Sequence, residues 1–400
     1  MYFIFYLLIF SITVFLFIIA TIKINNPFWN LMPVYHTYDF WRFLYKKNFI
    51  FGELIKNKHY DYLQVTTKET NNIEEYEKKQ IINLLQDHYL GSDKFLYTIN
   101  NKRFDALFDG CNLNSICSYY QKQKYTVNNS EIVISKDTNN IDATIISKKI
   151  NFISNNEKID AYFSEHICSH REDSNSFLKR RLLFSHIYNT LNMKPIECFI
   201  IKKNMNLFQN VIPISSCKTY VYKLSFYSKV DLKLFEIKKI NSTNVDCIIN
   251  LISNLSNNNK YFNILLYPDI GNLKLMLSEN LIEIYILTYK DNILAYYFFK
   301  NLQIHEEENE VDYISCISSI NNCPNNITFV NGFMKIISDI LRKSPEKNVI
   351  QIENFSHNSY LITHMNILYN HINLFDTAFY TINYFVAKTP NNSNSLITFF

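Results

Sequence analysis

Between Ala161 and Phe199 the chain reads AYFSEHICSHREDSNSFLKRRLLFSHIYNTLNMKPIECF, and this run limits the fold most. Ala161 to Cys168 alternates apolar and polar residues, the pattern of a half-buried strand. Ser174 and Asn175 make a turn, and Lys179, Arg180 and Arg181 then place three cations before an apolar stretch. Leu182, Leu183, His186, Ile187 and Leu191 recur at roughly helical spacing. Pro195 stops that helix, and Ile196 to Ile201 reads as the next strand. Cations and free backbone N–H groups at a helix N-terminus make an anion site suited to a pyrophosphate, although a solvated helix start has the same composition.

The 400 residues suggest two domains or one large pseudo-repeated one. Forty basic against 36 acidic residues leave a net charge of +4, too mild a balance to argue for nucleic acid. None of the five glycines falls in a GxGxxG or GxxxxGK[ST] pattern, which excludes nucleotide cradles of those types. The wealth of Asn, Ile, Lys, Tyr and Phe reads as coding bias. Cys111, Cys117, Cys168, Cys198, Cys217, Cys247, Cys316 and Cys323 form no CxxC pair, so no zinc site is expected and buried free thiols in a reducing compartment are. The even cysteine count and the sequons at Asn241 and Asn326 leave open a luminal or virion-surface glycoprotein.

Met1 to Ile22 carries no charge and is almost wholly apolar, long enough to cross a bilayer as a helix. A basic n-region and a small-residue cleavage site are both lacking, so it reads as an uncleaved anchor. Lys23, Arg42, Lys46 and Lys47 follow, which by the positive-inside bias puts the globular part in the cytosol. Residues 23–50 form an aromatic juxtamembrane segment, in which NPFWNLMPVYHTYDFWR reads as an interfacial aromatic belt. His36 and Asp39 lie close in sequence with no nucleophile beside them, and a structural role is expected.

Phe28-Trp29 followed by Met32-Pro33-Val34 resembles the FW-x-x-QPV opening of the glycylpeptide N-tetradecanoyltransferases, the N-myristoyltransferases, above all the membrane-anchored homologues of large DNA viruses. Further matches keep the family's order. Ile81 to Tyr120 is similar to its helix, Tyr-containing turn and Phe-bearing helix, and Ile132 to Phe152 to paired central strands. His166 to Arg171 resembles F-L-C-V-H-K, and Lys179 to Leu182 resembles the S-K-R-[VL] of the pantetheine-pyrophosphate loop. Val245 to Asn254 reads as a helix, and Leu281 to Asn301 as a hairpin turning at Lys290-Asp291-Asn292. Ile327 to Leu341 follows as a helix and Asn348 to Glu353 as a strand. Asn354 to Asn358 resembles the family's E-N-K/H-N segment, and Tyr380 to Tyr384 its last long strand.

The resemblance implies an α/β (α+β) fold in which two acetyltransferase-like (GNAT-like) halves surround a mixed, saddle-shaped sheet. Residues 51–240 would bind acyl-CoA, and residues 241–400 would supply most of the peptide groove. The alternation of strand and helix segments agrees. The implied chemistry is attack of an N-terminal glycine amine on a fatty acyl thioester, with myristoyl-CoA as co-substrate and N-terminal glycine peptides or proteins as partners. On the same basis the backbone N–H groups of His166 and Ile167 form the oxyanion hole. Lys179, Arg180, Arg181 and Leu182 hold the CoA phosphates, with Phe28, Trp29 and Cys168 near the cofactor. The carboxylate of Phe400 acts as general base. Glu165 stands where the family has the Asn that helps hold the substrate amine; a carboxylate there suits an ammonium, or signals lost activity. Two function classes follow: a membrane-anchored N-acyltransferase of a host-cell or virion membrane, and a catalytically silent, membrane-tethered scaffold or binding protein. Acetyl rather than myristoyl transfer stays open.

Overall fold

The computed structural model describes residues 2–45, 47–50, 54–92, 94–128, 131–136, 140–154, 156–170, 176–224, 232, 234–257, 262–387 and 389–397. Among them one mixed sheet of 15 strands dominates. In chain order its strands are β1 (Val65–Glu69), β2 (Phe95–Tyr97), β3 (Ile116–Tyr120), β4 (Ala143–Ser154), β5 (Glu157–Ser169), β6 (Cys198–Asn204), β7 (Ser215–Lys223) and β8 (Glu236–Ile240). They continue with β9 (Ile264–Pro268), β10 (Ile282–Tyr289), β11 (Asn292–Glu306), β12 (Val311–Asn321), β13 (Val349–Glu353), β14 (His371–Ile382) and β15 (Ser395–Ile397). The spatial order is β8-β10-β11-β12-β13-β7-β14-β6-β5-β4-β9-β15, with β1 and β3 extending from β4 and β2 pairing with β11. The helices are α1 (Tyr2–Asn25), α2 (Pro27–Asn30), α3 (Glu75–His88), α4 (Asn101–Phe108), α5 (Ser176–Met193), α6 (Asp246–Asn257), α7 (Ile270–Ser278), α8 (Asn326–Lys343) and α9 (Asn358–Leu368).

The two halves exchange strands. β7 lies between β13 and β14, while β9 and β15 complete the edge of β4. They also meet backbone to backbone, since a Cβ on Gly271 of α7 would collide with the Gly110 carbonyl oxygen. Gly110 itself holds φ of +77°, a conformation glycine adopts without steric cost.

Local chemistry explains several elements. Lys290 and Asp291 both take positive φ, the requirement of a two-residue hairpin turn, and β10 and β11 pair on either side. Asn100 and Asn325 accept from the backbone N–H groups of Arg103 and Ile327, capping α4 and α8. Glu74 and Glu77 form a reciprocal capping box on α3.

Some expectations change. β5 is buried on both faces rather than half-buried, because it runs between β4 and β6 in the middle of the sheet. Residues 132–152 are not two paired strands. Glu131–Lys136 pairs with Gln123–Asn128 in a separate ribbon, and β4 pairs instead with β5. α5 spans Ser176–Met193, so Lys179, Arg180 and Arg181 lie within it rather than before it; Lys and Arg are good helix formers, and Phe177 and Leu178 precede them in the same helix.

α1 is long and apolar enough to cross a membrane, and none of its residues is buried against the rest of the chain. The aromatic segment after it is divided. Phe28, Met32, Val34 and Tyr35 are core residues, which corrects the belt reading for that part, whereas Phe40, Trp41, Leu44 and Tyr45 are exposed. His36 bonds Asp39 Oδ2 through Nδ1 at 3.1 Å and the Trp29 carbonyl through Nε2 at 2.8 Å, a structural pin as expected. All eight cysteines are free thiols.

Candidate active site

β4 and β5 lose register at one point. Thr144 pairs with Cys168 and Ile146 with Glu165, so His166 and Ile167 stand together opposite Ile145. This is a β-bulge, in which the ladder cannot satisfy every backbone group of the bulged pair. His166 takes φ of +55°, a left-handed conformation that costs a non-glycine residue about 1 kcal/mol. Parallel pairing of β5 with β6 ends at Ser164–Ile201, although both strands continue. The bulge therefore sits where two central strands part.

Around it lies a buried cluster of ionisable groups. Glu165 Oε1 accepts from Lys300 Nζ at 2.7 Å, joining β5 to β11 across 135 residues of chain. Glu165 Oε2 is buried and has no hydrogen-bond partner among the described residues. Burial alone would raise the Glu165 carboxyl, but Lys300, Lys148 and His166 outweigh it and hold the group well below the usual carboxylate range. Burial lowers the Lys148 ammonium, with Lys300 adding and Glu165 opposing. Lys148 Nζ donates to the Leu107 carbonyl at 3.3 Å.

His166 Nε2 and the Tyr97 hydroxyl are 2.6 Å apart. Gln303 Nε2 lies 3.5 Å from that hydroxyl. Nδ1 is buried without a partner among the described residues. Tyr89, Tyr97 and Phe108 enclose the ring. Burial, reinforced by Lys300 and Lys148 against the pull of Glu165, pushes the imidazole down to about 4, so it is neutral at pH 7.

The basic cluster of α5 divides its cations. Arg181 pairs with Asp61 at 3.1 Å and stacks on Phe177. Arg180 lies over the Phe28 ring at 6.0 Å and, with Phe28, Trp29, Leu207 and Phe208, lines a cavity of about 240 Å³. Lys179 is exposed, and its charge adds to burial in lowering the half-buried Lys203. Leu182 is packed in the core with Phe28, and Ile167 lies against the same cluster. Cys168 belongs to the other face of the sheet, where its thiol donates to the Leu84 carbonyl, so the structure does not bring it to the Phe28–Arg180 cavity. Phe400 lies outside the described residues, as do Arg171 and the turn at Ser174 and Asn175; β15 is buried beside β9 three residues earlier. A larger cavity of about 460 Å³ lies apart from the bulge, between α6 and the ends of β11 and β12. Among the described residues no cluster of His, Cys, Asp and Glu is arranged to hold a metal ion.

Lys300, Lys148, Tyr97 and Lys203 escape sequence reasoning. The signal for the first two was a charge inside an otherwise apolar strand, as in AYYFFKN.

The architecture is that of a two-half, mixed-sheet α/β acyltransferase fold. More particularly, it is the N-myristoyltransferase fold. A crystal structure of Saccharomyces cerevisiae N-myristoyltransferase with bound myristoyl-CoA superposes with a TM-score of 0.71 at 12% identity, covering 94% of this chain and 99% of that one. A second structure of the yeast enzyme with myristoyl-CoA gives 0.69 at 13% identity over 92% and 91%. A third, with myristoyl-CoA and inhibitors, gives 0.67 at 14% over 94% and 93%. No protein-family model and no curated protein sequence matches the chain.

Proposed function

We propose that the chain is a membrane-anchored N-acyltransferase that moves a fatty acyl group, myristoyl by the yeast precedent, from acyl-CoA to the N-terminal glycine of a protein. The observation that carries this reading is the bulge at His166–Ile167, placed where β5 leaves β6 in an N-myristoyltransferase fold.

In the proposed reaction the neutral glycine amine attacks the thioester carbonyl. A C–N bond forms, the C–S bond breaks, the amine gives up a proton and CoA leaves as the thiol. The backbone N–H groups of His166 and Ile167 hold the oxyanion of the tetrahedral intermediate; donors fixed by a strained bulge need no reorganisation as charge develops. Glu165, with Oε2 unengaged, holds the incoming ammonium before it loses its proton. Lys179, Arg180 and Lys203 take the CoA phosphates, while Arg181, tied to Asp61, orders the helix that carries them. The base role implied for the Phe400 carboxylate is carried as part of this proposal. α1 anchors the chain, with the globular part on the cytosolic side.

The test uses the purified full chain in detergent with myristoyl-CoA and a peptide bearing an N-terminal glycine. Thiol release that depends on that peptide, and disappears when its amine is acetylated, is the expected outcome. Myristoyl-CoA binding without thiol release would sink the enzymatic reading and leave the silent, membrane-tethered binding protein. One observation favours that second reading: Lys300 already engages one oxygen of Glu165.

A further inference from the structure

The exposed aromatic segment continues the surface of α1. Phe15, midway along the helix, meets the Phe40 ring edge-on at 5.4 Å, and Lys23 near its end lies over the Tyr38 ring at 5.0 Å. Phe15 is ten residues before Asn25, or about 15 Å at 1.5 Å per residue. A helix that crosses a bilayer of about 30 Å therefore carries Phe40 below the headgroups, with Lys23 and Tyr38 at their level. The side chains there suit lipid: Phe40 is 44% exposed, Trp41 68%, Leu44 75% and Tyr45 58%.

The charges in the segment are internally answered. Arg42 pairs with Asp39 at 3.6 Å and lies over the Phe385 ring, and Asp39 also accepts from His36. None has to enter an apolar phase bare. The foot of α1 also opens on the cavity, since Asn25 and Asn26 line it together with Phe28, Trp29 and Arg180.

We propose that the 3-10 turn Phe40–Leu44, with Tyr45, dips into the leaflet that α1 enters and seats the Phe28–Arg180 cavity at headgroup level, facing the bilayer. The occupant of this patch is lipid rather than protein, because the patch is continuous with a helix that is apolar all round and is flanked by Lys23, a cation that complements anionic headgroups. An acyl-CoA whose tail is dissolved in the leaflet would then reach Arg180 without crossing water. The inference rests on the membrane-anchor part of the proposed function and not on catalysis.

The chain contains two tryptophans, Trp29 and Trp41, which makes the test direct. Full-length Trp29→Phe and Trp41→Phe proteins are reconstituted into phosphatidylcholine vesicles brominated in mid-chain, and flotation is read alongside fluorescence. Emission from Trp41, isolated in Trp29→Phe, is expected to fall roughly twofold or more relative to unbrominated vesicles, and that from Trp29 far less. Flotation with Trp41 no more quenched than Trp29 would overturn the dip and leave the anchor standing. Failure to float would overturn the anchor and the dip together. A Leu44→Ser protein carrying Trp29→Phe, which floats through α1, is expected to lose part of the Trp41 quenching; undiminished quenching there with strong quenching of Trp29 as well would mean general burial and would also overturn the proposal.

Discussion

Two fully buried histidines lie on opposite faces of the same sheet and are treated in opposite ways. His186, inside α5, has both ring nitrogens answered, Nδ1 by Ser118 Oγ at 2.8 Å and Nε2 by Ser147 Oγ at 2.6 Å. Its backbone is regular helix, and burial pushes it down to about 3. His166 has one nitrogen answered, a left-handed backbone and a carboxylate with a lysine beside it. The first arrangement is the cheapest way to bury an imidazole. The second holds strain, an unmatched polar atom and an ion pair within a few residues, the combination on which the proposed function rests.

The largest expected break in that contrast comes from Glu165→Gln. It leaves the Lys300 charge, paired directly with Glu165, without its carboxylate and should destabilise by about 3–5 kcal/mol in urea unfolding, with most of that recovered in the Glu165→Gln/Lys300→Met double variant. If the pair instead contributes nothing, the single and double variants will unfold at the same denaturant concentration. On the other face, His186→Ala should cost about 2–4 kcal/mol, since it opens a cavity and removes one of the hydrogen-bond partners of Ser118 and of Ser147, which keep Thr67 and Ser164. Myristoyl-CoA affinity should not move with it, and a change in affinity would place His186 in the binding machinery.

A smaller effect is set by pH. Both imidazoles have folded-state values below the ordinary 6.5, at about 4 and about 3, so below pH 6.5 the unfolded chain takes up the proton first. Stability is therefore full above that pH and falls by up to about 1.4 kcal/mol per pH unit for each histidine as pH drops toward 4. Measured between pH 6.5 and 5.5, where few carboxylates titrate, His186→Gln should remove one histidine's share of the slope, the rest remaining with His166 and with His59 and His357, which burial also lowers. The least effect on stability is expected of Lys179→Ala, under about 0.5 kcal/mol for an exposed residue. The same variant should weaken myristoyl-CoA binding about tenfold, and S-myristoyl-pantetheine, which lacks the phosphates, should not register it.

Much of this contrast has no local trace in the chain. The turn at Lys290–Asp291 and the helices α6 and α8 are legible because neighbouring residues decide them: backbone handedness in one case, an apolar stripe in the others. His166 and Ile167 are legible only through the family resemblance, since nothing in HICSH announces a bulge. The partnership of β4 with β5 rather than of residues 132–136 with 143–152 depends on which strands can reach each other. The Glu165–Lys300 pair depends on β5 and β11 converging from both halves. Such pairings are fixed by the topology of the whole sheet, and sequence leaves only their shadow, a lysine amid aromatic strand residues.

The exchange of strands between the halves has a temporal consequence. β4 receives β9 at Ile150–Ser154, and β9 in turn receives β15 from the last residues described. On a ribosome adding roughly 5–20 residues per second, that apolar edge waits several seconds for its first neighbour and longer still for the second. The half that carries the bulge is thus the one whose sheet closes last. Until β9 arrives, the Ile150–Ser154 edge of β4 is an exposed strand edge open to pairing with the wrong chain.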